Sequence, residues 1–210
     1  MPQTAEILLD PRKSPVQARS AVTVDAILEA TIQVLLDVGK DRLTTTRVAL
    51  RAGVSVGTLY QYFPNKSALL QAALKRHLDQ VTKAIEQISR EQKGAALQQM
   101  AAALIHGFLD AKMKNVKTSV ALYAVSSDVD GARIAQQCGT RNIKAIAALL
   151  ATAREPLTSD PQLVASILAG AMAGVSRRLL ESPAPEKHAE SYRRELTTLA
   201  AAYLQASTAG

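Results

Sequence analysis

Tryptophan is absent from this chain of 210 residues, phenylalanine occurs twice and cysteine once. Aromatics amount to 3%, so any core must be filled by aliphatic side chains. Ala and Leu, both strong helix formers, take that place, and β-branched runs are scarce. The single cysteine, Cys138, excludes an internal disulfide framework and a cysteine metal cage, which fits a reducing compartment. No apolar run is read as approaching the roughly 20 residues that span a bilayer. The N-terminus lacks the charged start and apolar core of a signal peptide. The expectation is an all-α, soluble, cytoplasmic protein.

Acidic residues are missing from one long window. Between Arg42 and Leu78 stand Arg42, Arg47, Arg51, Lys66, Lys75 and Arg76, with no Asp or Glu. The whole chain carries a formal charge of +7, a balance that favours polyanion partners without separating nucleic acid from an anionic membrane surface. Inside the window, Thr44–Lys66 reads TTTRVALRAGVSVGTLYQYFPNK. Thr44 is placed to cap a short helix with Val48, Ala49 and Ala52 on one face, and Gly53 to end it in a left-handed conformation. Ser55 caps a second short helix anchored inward by Leu59 and Phe63, and Pro64 stops it. Asn65 caps the next.

The rest of the chain reads as helices separated by breakers. Residues 1–21, with three prolines, Arg12, Lys13 and Arg19, read as a flexible basic arm able to touch DNA. A first helix runs from a Thr23 cap to Gly39. After the helical pair, a long helix reaches about Gln92, and Leu97 to about Lys114 forms a fifth. Val116–Val125 is a sixth, and Asp130 to about Arg154 a seventh. Asp160 followed by Pro161 starts an eighth, rich in Ala and Gly, and the ninth covers about Lys187–Gln205 before a frayed tail from Ser207.

A helix-turn-helix places its second helix in the major groove. Ser55, Val56, Gly57 and Thr58 are short enough for close backbone approach there. Thr58, Tyr60, Gln61 and Tyr62 supply hydrogen-bonding groups. The helix starts at Thr44 and Asn65, beside Thr45, Thr46 and Lys66, offer free N–H groups to phosphate.

Residues 22–77 resemble the DNA-binding domain of the TetR family of bacterial transcriptional regulators. The likeness runs through Asp25-Ala26-Ile27-Leu28-Glu29-Ala30, Gly39, Leu43-Thr44-Thr45, Val48-Ala49, Ala52-Gly53-Val54-Ser55, Gly57-Thr58-Leu59-Tyr60, Tyr62-Phe63, Lys66 and Leu69-Leu70. The resemblance implies about nine helices, with an N-terminal three-helix helix-turn-helix domain (22–67). A C-terminal helical domain for ligand binding and dimerisation (68–206) would follow. It implies a homodimer on double-stranded operator DNA, released by a small-molecule effector. Carried over by position, DNA contacts fall on Thr45, Thr46, Ser55, Val56, Gly57, Thr58, Tyr60, Gln61, Tyr62 and Lys66. Arg47, where an acidic capping residue is common, adds a phosphate contact. Gln61 suits adenine. Thr31 and Leu36 depart from the family pattern and read as packing variants.

For the effector pocket, apolar positions with adaptable or polar character are Met100, Leu104, His106, Phe108, Met113, Tyr123, Cys138 and Met172. They suggest a neutral or weakly charged hydrophobic effector. The small-residue face of the eighth helix and the apolar stripe of the ninth suggest the dimer interface. No catalytic constellation is read: His77, His106 and His188 are dispersed and Cys138 has no evident partner. No metal or cofactor pattern is read either, and no membrane partner. The rival reading is a non-catalytic helical adaptor binding anionic lipid or a partner through its basic surface.

Overall fold

The computed structural model describes residues 15–126 and 130–208, with side chains from residue 20 onward. Among these, nine helices form: α1 (Pro15–Arg42), α2 (Thr45–Ala52), α3 (Val56–Tyr62), α4 (Lys66–Glu91), α5 (Leu97–Met113), α6 (Val116–Val125), α7 (Gly131–Leu150), α8 (Pro161–Leu180) and α9 (Pro185–Ala206). Local chemistry sets many of the boundaries. Thr44 accepts from the Arg47 amide at 3.2 Å, Ser55 from Thr58 at 2.9 Å, Asn65 from Ala68 at 2.8 Å and Asp160 from Gln162 at 3.1 Å. Each bond satisfies an amide that the first helical turn leaves orphaned. Gly53 has φ 68 and ψ 30, the left-handed cap that a Cβ disfavours.

Four boundaries differ from the sequence reading. α1 begins at Pro15 rather than at a Thr23 cap, so it takes in the end of the expected basic arm. Residues 1–14 lie outside the described residues. Pro185 opens α9, because proline at the first helical position loses no needed donor. α7 ends at Leu150, and the segment after it turns back: the Arg154 amide donates to the Ala95 carbonyl at 3.2 Å, and Glu155 accepts from the Leu97 amide at 2.9 Å. The α5 start, where Ala96 has no capping side chain, thus takes its acceptor from a distant residue. Ser207 does not fray. It is buried, and its carbonyl accepts from the Thr158 amide at 2.8 Å.

Two apolar clusters hold the helices. The first joins Ile27, Val34 and Leu35 of α1 to Val48, Ala49, Leu59 and Phe63, then to Leu69, Leu70, Ala73 and Leu74 of α4. Leu122 and Val125 of α6 and Ile134 of α7 complete it. The second gathers Val81 and Ile85 of α4 with α5, α7, α8 and α9. α4 therefore belongs to both. Thr31 is fully buried and returns its hydroxyl to the Ile27 carbonyl at 2.7 Å, while Leu36 lies at the surface. Thr31 is a packing variant and Leu36 is not one.

α8 corrects one expectation: it is long and apolar enough, by length and composition, to cross a bilayer. Its run of Ala and Gly between few charges produces that result. Val164, Leu168, Met172 and Leu179 pack one side of it into the second cluster, as in a core helix.

Candidate nucleic-acid interface

α2, Gly53 and α3 form a tight helical pair pinned by Val48, Ala49 and Leu59, none of them accessible to solvent. A second pin is polar: the hydroxyls of Thr45 and Tyr60 lie 3.0 Å apart, linking the start of α2 to the middle of α3. Ser55 caps α3 and its hydroxyl also meets that of Thr58 at 2.8 Å. Thr46, Arg47, Ser55, Gly57, Tyr60 and Gln61 are exposed, and Thr45 and Thr58 half-buried. Val56 and Tyr62 lean inward and pack against the first cluster. The structure thus brings the expected contact residues onto one helical pair, Val56 and Tyr62 among them turned partly toward the core, except Lys66, which opens α4.

Folding changes the electrostatics of the acid-free window. Arg51 pairs with Asp37 at 3.1 Å and Arg76 with Glu29 at 3.1 Å, while Lys75 pairs with Asp79. Acids outside the window in sequence therefore neutralise three of its six cations in space. The Arg42 Nε donates to the Val38 carbonyl, and the Lys66 ammonium donates to the Lys40 carbonyl at 2.6 Å. Arg47 is exposed and makes no ion pair among the described residues. The positive charge left for a polyanion sits on Arg42, Arg47 and Lys66.

The expected effector residues divide. Met100, Leu104, Phe108 and Met172 are buried together in the second cluster, and Met113 packs against it. His106 is corrected: it faces solvent, because its position on α5 lies outside the stripe of Leu104, Ile105 and Phe108. Tyr123 is half-buried under the Arg177 guanidinium, 5.3 Å from its ring centre. Cys138 is buried, with its sulfur 3.9 Å from Asp79; burial first and that carboxylate second push its thiol pKa up. A groove of about 570 Å³, lined by Ala84, Gly107, Asp110, Ala111, Met113 and Lys114, opens to solvent and includes only Met113 of the eight.

A polar group that the sequence reading missed lies between α4, α5 and α6. His77 is buried, its Nε2 3.2 Å from the Ser119 hydroxyl, which donates to the Lys112 carbonyl at 2.7 Å. With its proton committed to that carbonyl, Ser119 accepts from the His77 Nε2–H. Burial, then the Lys112 ammonium, lowers the His77 pKa to about 4. A signal existed: His77 continues the stripe of Leu70, Ala73 and Leu74 toward Val81. Among the described residues, no group of three or more His, Cys, Asp or Glu is placed to hold a metal ion.

The model of the tetracyclin repressor-like C-terminal domain matches residues 96–204, and that of the tetR family of bacterial regulatory proteins matches residues 27–73. The chain belongs to the TetR family. Similar proteins include the nucleoid occlusion factor SlmA of Haemophilus ducreyi, 35% identical over 45% of this chain and 45% of that protein. The transcriptional regulator BetI 1 of Chromohalobacter salexigens is 33% identical over 48% of this chain and 50% of its own. The repressor KstR of Mycolicibacterium smegmatis is 44% identical over 26% and 27%. The chain spans about half or less of the length of these curated relatives.

Solved TetR-family structures share the fold. One from Streptomyces coelicolor superposes with a TM-score of 0.64 at 20% identity, covering 88% of this chain and 99% of that one. One assigned to the family from Mesorhizobium loti reaches 0.73 at 23% identity, covering 91% and 99%. The TetR likeness thus extends over both clusters, whereas sequence likeness to SlmA, BetI 1 and KstR is confined to part of the chain.

Proposed function

We propose that this chain is a ligand-responsive transcriptional regulator that binds a near-palindromic operator as a homodimer, acts as a repressor and is released by a small effector with an apolar body. The observation that carries the reading is the rigid α2–α3 pair, exposing Gly57, Tyr60 and Gln61 beside Arg47, an exposed cation with no ion pair among the described residues. In this reading Thr45, Thr46, Arg47, Tyr62 and Lys66 fix the pair on phosphate, while Ser55, Val56 and Gly57 permit close approach. Thr58, Tyr60 and Gln61 face the bases. The Lys66 ammonium has three donors, so its bond to Lys40 leaves two for phosphate. The protein works in the cytoplasm, where its operator lies.

The dimer rests on α8 and α9. Leu163 and Ile167, one turn apart on α8, and Leu199 on α9 are exposed by half or more. Further along α8, Gly170 and Gly174 have open space where a Cβ would stand. A second copy can approach closely along that stripe, and its two-fold symmetry would set two α3 helices one DNA turn apart.

Selection of bound fragments from genomic DNA, followed by titration of a selected fragment against salt, tests the reading. Enrichment of a near-palindrome and a steep salt slope are expected, with the slope reduced in Lys66→Ala by about one phosphate contact. Equal affinity for unrelated DNA, or preference for anionic vesicles, would overturn it. Light scattering at micromolar protein checks the dimer: a monomer mass rejects it, and Ile167→Glu is expected to produce one.

A further inference from the structure

The middle of the seam between α4 and α7 is polar. Ile134, Cys138, Asn142 and Ile146 follow one another at four-residue steps on one side of α7. Ile134 belongs to the first apolar cluster and Ile146 to the second. Between them, Cys138 lies against Asp79 and Thr82 of α4, with its sulfur 3.9 Å from the Asp79 carboxylate. The Asn142 Oδ1 is buried with no hydrogen-bond partner. An unpaired buried polar atom costs desolvation and returns no attraction. Apolar packing therefore grips α7 at the two ends of this stretch and weakly along its middle.

At the outer edge of the same stretch, Arg141 holds α4 at two points. Its Nη1 donates to Asp79 at 3.0 Å and its Nη2 to Glu86 at 2.8 Å. The two carboxylates stand seven residues apart, two turns or about 10 Å along the helix. The planar guanidinium reaches both in one orientation, so a slide of α7 along α4 in either direction breaks one of the two bonds. A single exposed ion pair adds little to stability, but a fork across two turns sets a register. One turn before Asp79, Arg76 pairs with Glu29 of α1 at 3.1 Å. Within the short stretch of α4 from Arg76 to Glu86, ion pairs thus fix both the helix that leads into the α2–α3 pair and the helix that joins the second cluster.

We propose that Arg141 is a positioning residue for operator recognition: by holding Asp79 and Glu86 it fixes the register of α4 on α7, and with it the separation of the two α3 helices in the dimer. It then selects the spacing between operator half-sites without touching DNA. This rests on the dimeric operator reading above.

The test measures affinity of the full chain for four kinds of duplex: an operator selected by the parent protein, that operator with its central spacer lengthened or shortened by one or two base pairs, and an unrelated sequence. The parent is expected to prefer its own spacer by about tenfold or more. Arg141→Met, which keeps the stem and loses the fork, is expected to lose most of that preference. Its affinity for the unrelated duplex, and the salt slope there, stay as in the parent. Glu86→Gln, which removes one end of the grip, is expected to lose part of it. The double variant is expected to lose no more than Arg141→Met alone, since both act through one contact. A parent indifferent to spacer length, a parent-like preference in Arg141→Met, an equal loss on every duplex, or additive losses in the double variant would each overturn the proposal. Where circular dichroism shows Arg141→Met unfolded, Glu86→Gln decides, and a parent-like preference in it is the overturning result. A parent that enriches no operator sinks the regulator reading and this inference with it. A parent that enriches one, with variants that keep its spacer preference, sinks this inference alone.

Discussion

The α2–α3 pair and the interior between α4, α5 and α6 treat charge in opposite ways. In the first, cations sit at the surface, where water screens them, and half of them are neutralised by acids brought in by folding. In the second, one imidazole is buried and kept neutral, and the neighbouring acids pair with other cations. A surface charge costs little and can wait for phosphate. A buried imidazole kept neutral costs the fold stability once acid would charge it. The first region is therefore built for contact without rearrangement, and the second holds a group whose burial makes the fold sensitive to acid.

The comparison breaks first if the α2–α3 pair is not rigid. Leu59 is wholly buried beneath α3. Leu59→Ala is expected to cost about 2–5 kcal/mol in urea unfolding and to abolish selected-operator binding. A loss well below that range would mean α3 is held otherwise.

The interior is tested by acid. In the unfolded chain His77 titrates near 6.5, and in the fold at about 4. Between those values the unfolded chain holds a proton that the folded chain lacks. Stability is thus full above pH 6.5 and declines as pH falls toward 4, by about 3 kcal/mol across the span. Urea midpoints measured against pH check this, and His77→Gln, which keeps a donor for Ser119, should flatten the curve over that window. A curve of the same steepness in the variant assigns the acid sensitivity to other groups.

Smaller effects sharpen the surface side. Gln61→Ala is expected to relax preference at one base position by about 1–3 kcal/mol, read by repeating the fragment selection. Equal loss on every sequence would make Gln61 a backbone contact instead. Ser55→Ala removes the α3 cap and should cost about 1 kcal/mol of stability. No change would show that the Ser55–Thr58 contact is dispensable.

Much of the fold was legible because its boundaries are local. Thr44, Ser55, Asn65 and Asp160 cap helices through bonds to amides two or three residues on, and Gly53 turns on its own backbone, so short stretches of sequence suffice. What was illegible depends on residues far apart. The pairing of Arg51 with Asp37 and of Arg76 with Glu29 could not be read from a window that stops at Arg42. The Glu155 cap on α5 crosses 58 residues. His77 and Ser119 meet across 42 residues, and only the apolar stripe of α4 hinted that His77 points inward. His106 was misplaced for the converse reason: its chemistry suggested a pocket, but its angular position on α5 puts it in solvent.

α4 has a consequence for how such chains can be recombined. Its first turns complete the cluster under α3 and its later turns the cluster beneath α8, along a helix of 26 residues, about 39 Å. A chimaera spliced at its start would graft a DNA-reading head onto a neck whose leucines were shaped for another, and would leave Leu122 and Val125 of α6 without their original neighbours. The unit that can be exchanged between relatives is larger than the helical pair that faces DNA: it has to carry α4 with it, and the face of α6 that meets it.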